Sequence, residues 1–236
     1  MCWSAGASVA MIAVGGVATA VTYRRGEPPA IWGTLAYFTL MEALQGAGYL
    51  VVNQCGSTAN QTITVLSYLH IALQPLVINA FAMAIAPTAV SPGVRKWVWG
   101  LAGLASLLML LRLVPIEAVG PCAPGDVMCG ITWCLQSGDW HIGWQVPLNG
   151  LPAFFNIPIQ FPSYMLAVFL LPLFYGAWRF VVFHAVVGPI LAASLTSDPN
   201  EMPAIWCLFS IGIVVISLSP FVRYKVMKAH RPMLAA

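Results

Sequence analysis

The sequence contains very little charge. Only 7% of its 236 residues are Asp, Glu, Lys or Arg, and 60% are hydrophobic. A soluble domain carries about 25% charged residues, so this chain cannot cover a surface that faces water. The composition therefore predicts a protein that folds in a lipid bilayer. The formal net charge of +3 is too small to indicate a nucleic-acid partner.

The apolar residues are grouped into seven segments separated by turn signals. One membrane span takes about 20 residues, and backbone hydrogen bonds must be satisfied internally in hydrocarbon, which favours helices. The strands of a barrel would alternate polar and apolar residues, and these segments do not. We therefore predict an all-α, seven-helix transmembrane domain over residues 1–236. Its helices are expected at residues 5–23, 30–52, 62–86, 96–116, 162–177, 179–196 and 203–222.

The basic residues predict the orientation of this domain. Lys and Arg beside membrane spans stay in the cytoplasm. Seven spans place nine of the ten basic residues on one side, in the first, third and fifth loops and in a tail over residues 223–236. We expect a multi-pass protein of the plasma (inner) membrane with its N-terminus outside and its C-terminus inside. No basic region precedes the first segment, so we expect no cleaved signal peptide.

The six cysteines all fall on the predicted outer side, where disulfides persist. They are the disulfide candidates Cys2, Cys55, Cys122, Cys129, Cys134 and Cys207. Six cysteines allow fifteen complete pairings, and scattered buried thiols are the alternative. We predict at least one bridge among Cys55 and the three cysteines of the fourth loop. The spacings of those three fit no common zinc pattern.

The fourth loop, at about residues 117–161, is long enough to act as a lid. Its second half is too apolar and aromatic to extend into water, so we expect a cap stapled by disulfides across the outer mouth of the bundle. His141 is the best-placed residue there for ligand contact or a pH response, with an interfacial aromatic patch as the alternative. The candidate lid residues are Trp140, His141, Trp144 and Asn149.

Polar side chains interrupt the second and third segments, where an ionisable group costs free energy. Glu42 and Gln45 share one face of the second helix, and His70 and Gln74 share one face of the third. Counting from the segment ends places all four near the middle of the bilayer, beside a kink expected at Pro75. We predict a ligand-binding pocket here, with Glu42 as the titrating group and His70 and Gln74 as its hydrogen-bonding partners.

Three functions are compatible with this pattern. The favoured hypothesis is a pocket that binds or passes a small molecule, an ion or a proton. The second is an intramembrane hydrolase with one divalent metal ion at Glu42 and His70, but hydrolytic zinc takes three protein ligands, and we predict no metal or cofactor. The third is a structural subunit of a membrane complex, in which the polar residues hold helices together. Catalytic residues, substrate, protein partner and oligomeric state stay open.

Several motifs together carry a resemblance to a family. They are Met1-Cys2-Trp3-Ser4, Glu42, Leu73-Gln74-Pro75 and Trp140-His141-Ile142-Gly143-Trp144. With them the chain resembles uncharacterised, mainly bacterial membrane proteins with a seven-helix core and a domain of unknown function. That resemblance implies a topology and no activity. Hydrolases related to alkaline ceramidases carry a histidine pair in the final helix, which is absent here, and retinal proteins need a lysine within a span.

Overall fold

The computed structural model describes residues 4–86, 88–210, 212–219 and 221–222, so the predicted disulfide candidate Cys2 lies outside the described residues. The fold is mostly helical. In the described part of the chain, four helices are long and apolar enough to cross a membrane, at Ala5–Arg24, Thr58–Ala84, Pro92–Leu111 and Trp178–Leu195. The helices are α1 (Ala5–Arg24), α2 (Pro29–Gly48), α3 (Thr58–Ala84), α4 (Pro92–Leu111), α5 (Leu151–Phe154), α6 (Pro162–Tyr175), α7 (Trp178–Leu195), α8 (Met202–Ser210) and α9 (Ile213–Leu218).

Local sequence signals explain where the long helices begin. Ser57 precedes α3, and its hydroxyl accepts a hydrogen bond from the Asn60 backbone N–H at 3.2 Å. Ser91 caps α4 in the same way through Val94, at 3.4 Å. Such caps satisfy backbone donors that a helix leaves free at its first turn. Prolines at the start of α2 and α4 suit positions whose N–H would have no helical partner.

The later helices are less regular than predicted. In α6 the α-helical turn changes to a π turn over Leu166–Leu170 and then to a 3-10 turn over Leu171–Tyr175. Pro172 contributes to this because proline has no backbone N–H to donate. In α7, Gly188 takes a non-helical conformation just before Pro189. In the segment predicted as one helix at residues 203–222, the described residues include α8 and α9.

A connection that we name the cap, residues 117–161, lies between α4 and α6. It contains an antiparallel hairpin of β1 (Cys134–Ser137) and β2 (Ile142–Gln145), with Leu135 opposite Trp144. The all-α prediction missed this hairpin, because four-residue strands leave little periodicity to read. The hairpin and α5 make the cap a structured element of the fold.

Two disulfides involve the cap. Cys55, just after α2, is bonded to Cys134, and Cys122 is bonded to Cys129. The prediction of at least one bridge among Cys55 and the three fourth-loop cysteines is thereby confirmed. Cys207 was wrong as a disulfide candidate, because it is a buried free thiol. It lies in α8 and accepts a hydrogen bond from a side chain of α3 instead.

Asn60 joins the cap to the first turn of α3. Its side chain is fully buried, and its Oδ1 accepts from the backbone N–H of Leu135 at 2.9 Å. Its Nδ2 donates to the carbonyls of Leu135 at 2.7 Å and Val51 at 2.8 Å. One side chain therefore satisfies backbone groups of β1 and of the segment that follows α2.

We expect Asn60→Ala to lower the free energy of unfolding by about 2–3 kcal/mol, because it leaves several buried backbone groups without their partner. The measurement is the unfolding midpoint of the purified protein, followed by tryptophan fluorescence. Gln61→Ala is the matched control, since Gln61 is only half-buried and donates one hydrogen bond, to Cys55. Equal midpoints for the two variants would contradict the role of Asn60.

Candidate functional site

Two separate hydrogen-bond networks include polar residues of α2 and α3. The first, which we name the cap network, consists of Gln45, Tyr49, His141, Thr196 and Glu201. The second, the Gln74 network, consists of Gln74, Tyr164 and Cys207. Glu42 and Gln45 are fully buried, and His70 and Gln74 are 5% and 2% exposed. The four predicted pocket residues are therefore all inside the protein, but they do not form one hydrogen-bonded cluster.

The cap network is centred on His141. Gln45 donates from Nε2 to the carbonyl of Ala204 at 3.2 Å, which leaves Gln45 Oε1 to accept from His141 Nε2 at 3.1 Å. The Tyr49 hydroxyl then donates to His141 Nδ1 at 2.8 Å. Both ring nitrogens are satisfied by a neutral imidazole. Burial lowers the pKa of His141 to about 3.

Glu201 anchors the backbone of the cap. Its side chain is fully buried, and its Oε1 accepts from the backbone N–H groups of Trp140, at 2.6 Å, and of His141. The Thr196 hydroxyl donates to Oε2 at 2.6 Å. Charge-assisted bonds of this kind hold a carboxylate firmly. The sequence analysis missed Glu201, which could have been found only as an acid immediately before an apolar helix.

The other candidate lid residues have structural contacts. Trp144 is fully buried, and its backbone N–H donates to Asn200 at 3.0 Å. Asn149 closes the last turn of α4 by donating from Nδ2 to the carbonyls of Leu111 and Val114, both at 2.9 Å. Trp140 packs edge-on against the ring of His141. Asn149 thus attaches the cap to the end of α4, and Trp144 attaches it to the segment before α8.

The Gln74 network connects three helices. The Tyr164 hydroxyl of α6 donates to Gln74 Oε1 at 2.6 Å, and Gln74 Nε2 donates to Cys207 Sγ of α8 at 3.3 Å. Tyr164 and Cys207 are both buried. The sequence analysis missed Tyr164, because a single tyrosine at the start of an apolar helix carries no distinguishing signal.

His70 was expected to pair with Glu42, and this prediction was wrong. His70 Nε2 donates to the backbone carbonyl of Tyr37 at 2.8 Å, and the two rings stack with centroids 3.8 Å apart. The Tyr37 hydroxyl in turn donates to the His70 carbonyl at 2.5 Å. Gln74 likewise bonds to Tyr164 and Cys207 rather than to Glu42. Helical spacing identified the correct faces, but the partners were chosen by the packing between helices.

Glu42 lies between the two networks without joining either by a hydrogen bond. It is fully buried, and neither carboxyl oxygen has a hydrogen-bond partner among the described residues. It is close enough to Tyr49 and to Cys207 to interact electrostatically with both. Buried polar groups are normally satisfied, so an unsatisfied one is a signal of function or of a bound species.

A cavity of about 210 Å³ adjoins the Gln74 network. Gln74, Tyr164 and Cys207 form part of its wall, and Val127 and Met128 of the cap also line it. Most of the remaining wall is apolar. This combination of an apolar surface with a few polar groups is typical of small-molecule sites. Of the four predicted pocket residues, Gln74 is the one that lines this cavity.

Among the described residues, no third ligand joins Glu42 and His70 to support the metal alternative. Within the residues that the structure describes, no group of three or more His, Cys, Asp or Glu side chains is arranged to hold a metal ion. Glu42 and His70, the two predicted ligands of that alternative, are not hydrogen-bonded to each other. The hydrolase hypothesis therefore has two candidate donors, one fewer than the three protein ligands of hydrolytic zinc.

Comparison with known proteins gives a family but no activity. The model of a family described as "Family of unknown function (DUF5765)" matches residues 6–227. No curated protein and no solved structure matches the chain. The predicted resemblance to an uncharacterised family is confirmed, although the match begins after the Met1-Cys2-Trp3-Ser4 opening.

The burial of neutral His141 predicts that acid destabilises the cap. An unfolded histidine has a pKa of about 6.5, so between that value and about 3 the unfolded chain binds a proton that the folded chain does not. The contribution of neutral His141 to the free energy of unfolding is fully present above about pH 6.5 and is lost as the pH falls. The loss is about 2 kcal/mol at about pH 5.

The measurement compares unfolding midpoints of the wild type and of His141→Gln between about pH 7.5 and about pH 5. We expect the difference between them to shrink towards acid, because glutamine has no proton to gain. Ile131→Ala is the control, since this cap residue is 95% exposed. Parallel pH curves for the wild type and the His141 variant would contradict the prediction.

Proposed function

We propose that this chain, which belongs to a family of unknown function, DUF5765, is a membrane protein that binds a small ligand or ion in a pocket within the bilayer. The observation that carries this proposal is the cavity beside Gln74, Tyr164 and Cys207. Glu42 is the titrating group of the pocket. The cap is its lid, because Val127 and Met128 form part of the cavity wall.

The proposed topology has seven spans in the plasma (inner) membrane, with the N-terminus outside and the C-terminus in the cytoplasm. The four long apolar helices support membrane insertion. The bundle is completed by α2, by the shorter apolar helix Pro162–Tyr175, and by the segment that contains α8 and α9. The two disulfides favour an outside location for the cap, because disulfides persist in oxidising compartments.

The composition of the cavity wall limits what the pocket can hold. Among the described residues that line it there is no Asp, Glu, Lys or Arg, so a multiply charged solute would find no counter-charge there. Drug-sized ligands occupy sites of about 300–1,000 Å³, and this cavity is smaller. The occupant is therefore a small apolar molecule, the end of a longer one, or a single ion of low charge.

Glu42 gives the pocket a group that responds to protons or cations. A carboxyl group inside a membrane protein is costly unless it is protonated, paired or coordinated to an ion. No described protein group hydrogen-bonds to Glu42. Glu42 does not itself line the cavity, but it interacts electrostatically with Cys207, which does, and this contact supports the proposal that Glu42 responds to the occupant.

We expect Ile71→Phe to remove whatever the cavity binds, because Ile71 is 6% exposed and lines the cavity. The measurement is native mass spectrometry of protein released from mild detergent, which detects bound molecules and ions alike. Leu73→Phe is the matched control, since Leu73 lies on the same helix and is 40% exposed. If the same mass of ligand is bound to the wild type and to both variants, the cavity is not the binding site.

We expect Glu42→Gln to keep the unfolding midpoint within about 2 °C of the wild type, because neither carboxyl oxygen has a hydrogen bond to lose. The same change should abolish the pH dependence of pocket occupancy in native mass spectra. Gln45→Ala is the comparison, since Gln45 makes two hydrogen bonds and its loss should destabilise. A large fall in the midpoint of Glu42→Gln would instead assign Glu42 to structure.

A further inference from the structure

The wall of the cavity is unusually rich in sulfur. Four of the ten methionines in the chain line this one cavity, and the free thiol of Cys207 lines it as well. The methionines come from α4, the cap, α6 and α8, so no local sequence repeat explains their meeting. They are Met109, Met128, Met165 and Met202.

Sulfur ligands select particular metal ions. Thioethers and thiolates are soft donors that prefer monovalent copper, whereas Mg²⁺ and Ca²⁺ require oxygen ligands. The cavity wall contains no carboxylate and no imidazole. Cys207 Sγ already accepts a hydrogen bond from Gln74 Nε2 at 3.3 Å, a contact that stabilises negative charge on the sulfur. The donor set therefore suits a soft cation of single charge.

We infer that the cavity binds Cu(I) through the Cys207 thiolate and methionine thioethers. The inference rests on the proposed function, because it names the occupant of the same pocket. Binding forms a copper–sulfur bond and releases the thiol proton to solvent, with no change in the oxidation state of the metal. One Cu⁺ and one thiolate sum to zero charge, so the complex avoids the cost of a net charge in a medium of low dielectric constant.

Methionine also serves as an adaptable apolar filler, and the same wall could then bind a wholly apolar molecule. The two cases respond differently to one substitution. Leucine has nearly the volume of methionine and is well tolerated in its place, but it has no sulfur. Met→Leu changes in the cavity should therefore abolish metal binding and leave an apolar site intact.

The test uses Ag⁺, a soft monovalent ion that needs no reductant and therefore leaves the disulfides intact. Calorimetry is performed in chloride-free buffer on the full chain with Cys2→Ser in every protein, so that Cys207 is the one cysteine outside the two disulfides. We expect one Ag⁺ per chain and about one proton released per ion. The proton count comes from repeating the titration in buffers of different ionisation enthalpy.

Two variants and one control decide the outcome. Met128→Leu combined with Met202→Leu should raise the Kd for Ag⁺ at least tenfold, and Cys207→Ala should do the same and abolish the proton release. Met41→Leu should change neither, because Met41 is fully buried in α2 and does not line the cavity. Matched unfolding midpoints show that each variant is folded. Unchanged Ag⁺ affinity in the cavity variants would overturn the inference.

Failure of this inference can be distinguished from failure of the pocket itself. If Ag⁺ does not bind, but the wild type carries an organic molecule that Ile71→Phe excludes, the pocket stands and its occupant is apolar. If Ag⁺ does not bind and the wild type carries no mass that Ile71→Phe excludes, both proposals fail. Tight Ag⁺ binding that Ile71→Phe and the cavity Met→Leu changes abolish supports both.

Discussion

Hydrogen bonds between α3 and its neighbours are the interactions on which the bundle depends. The Tyr68 hydroxyl donates to the Met109 carbonyl of α4 at 2.7 Å, and Asn79 Nδ2 donates to the Ala167 carbonyl of α6 at 2.9 Å. Gln74 connects the same helix to α8. In the bilayer that we propose for this chain these groups have no water to bond, so each contact constrains where the next helix lies.

The cap extends this arrangement beyond the helices. Asn60 at the start of α3 binds β1, Asn149 binds the end of α4, and Glu201 binds the backbone at Trp140 and His141. These buried polar attachments hold the cap in one position over the cavity. The wall that the cap contributes is therefore as well defined as the walls contributed by the helices.

Glu42 departs from this pattern, as do several other buried polar atoms of the described residues, among them His70 Nδ1 and Trp144 Nε1. Its neighbours Gln45 and Gln74 use their amides on Ala204, His141, Tyr164 and Cys207, and none of them bonds to the carboxyl group. A carboxyl that served only to join helices would be expected to bond to one of them. Its isolation between two satisfied networks is the reason for assigning it to a bound proton or ion rather than to the scaffold.

The sequence alone determined the apolar segments that form helices, the presence of a disulfide among Cys55 and the fourth-loop cysteines, and the inward faces of α2 and α3. These follow from composition, charge and helical spacing, which can be read from residues that lie close together in the sequence. The partner of His70, the buried role of Glu201 and the meeting of four methionines around Cys207 were decided only by the tertiary structure. Helical spacing states which side of a helix faces inward, but not how far neighbouring helices slide or rotate against each other. Contacts such as that between Gln45 and Ala204, 159 residues apart, depend on that packing.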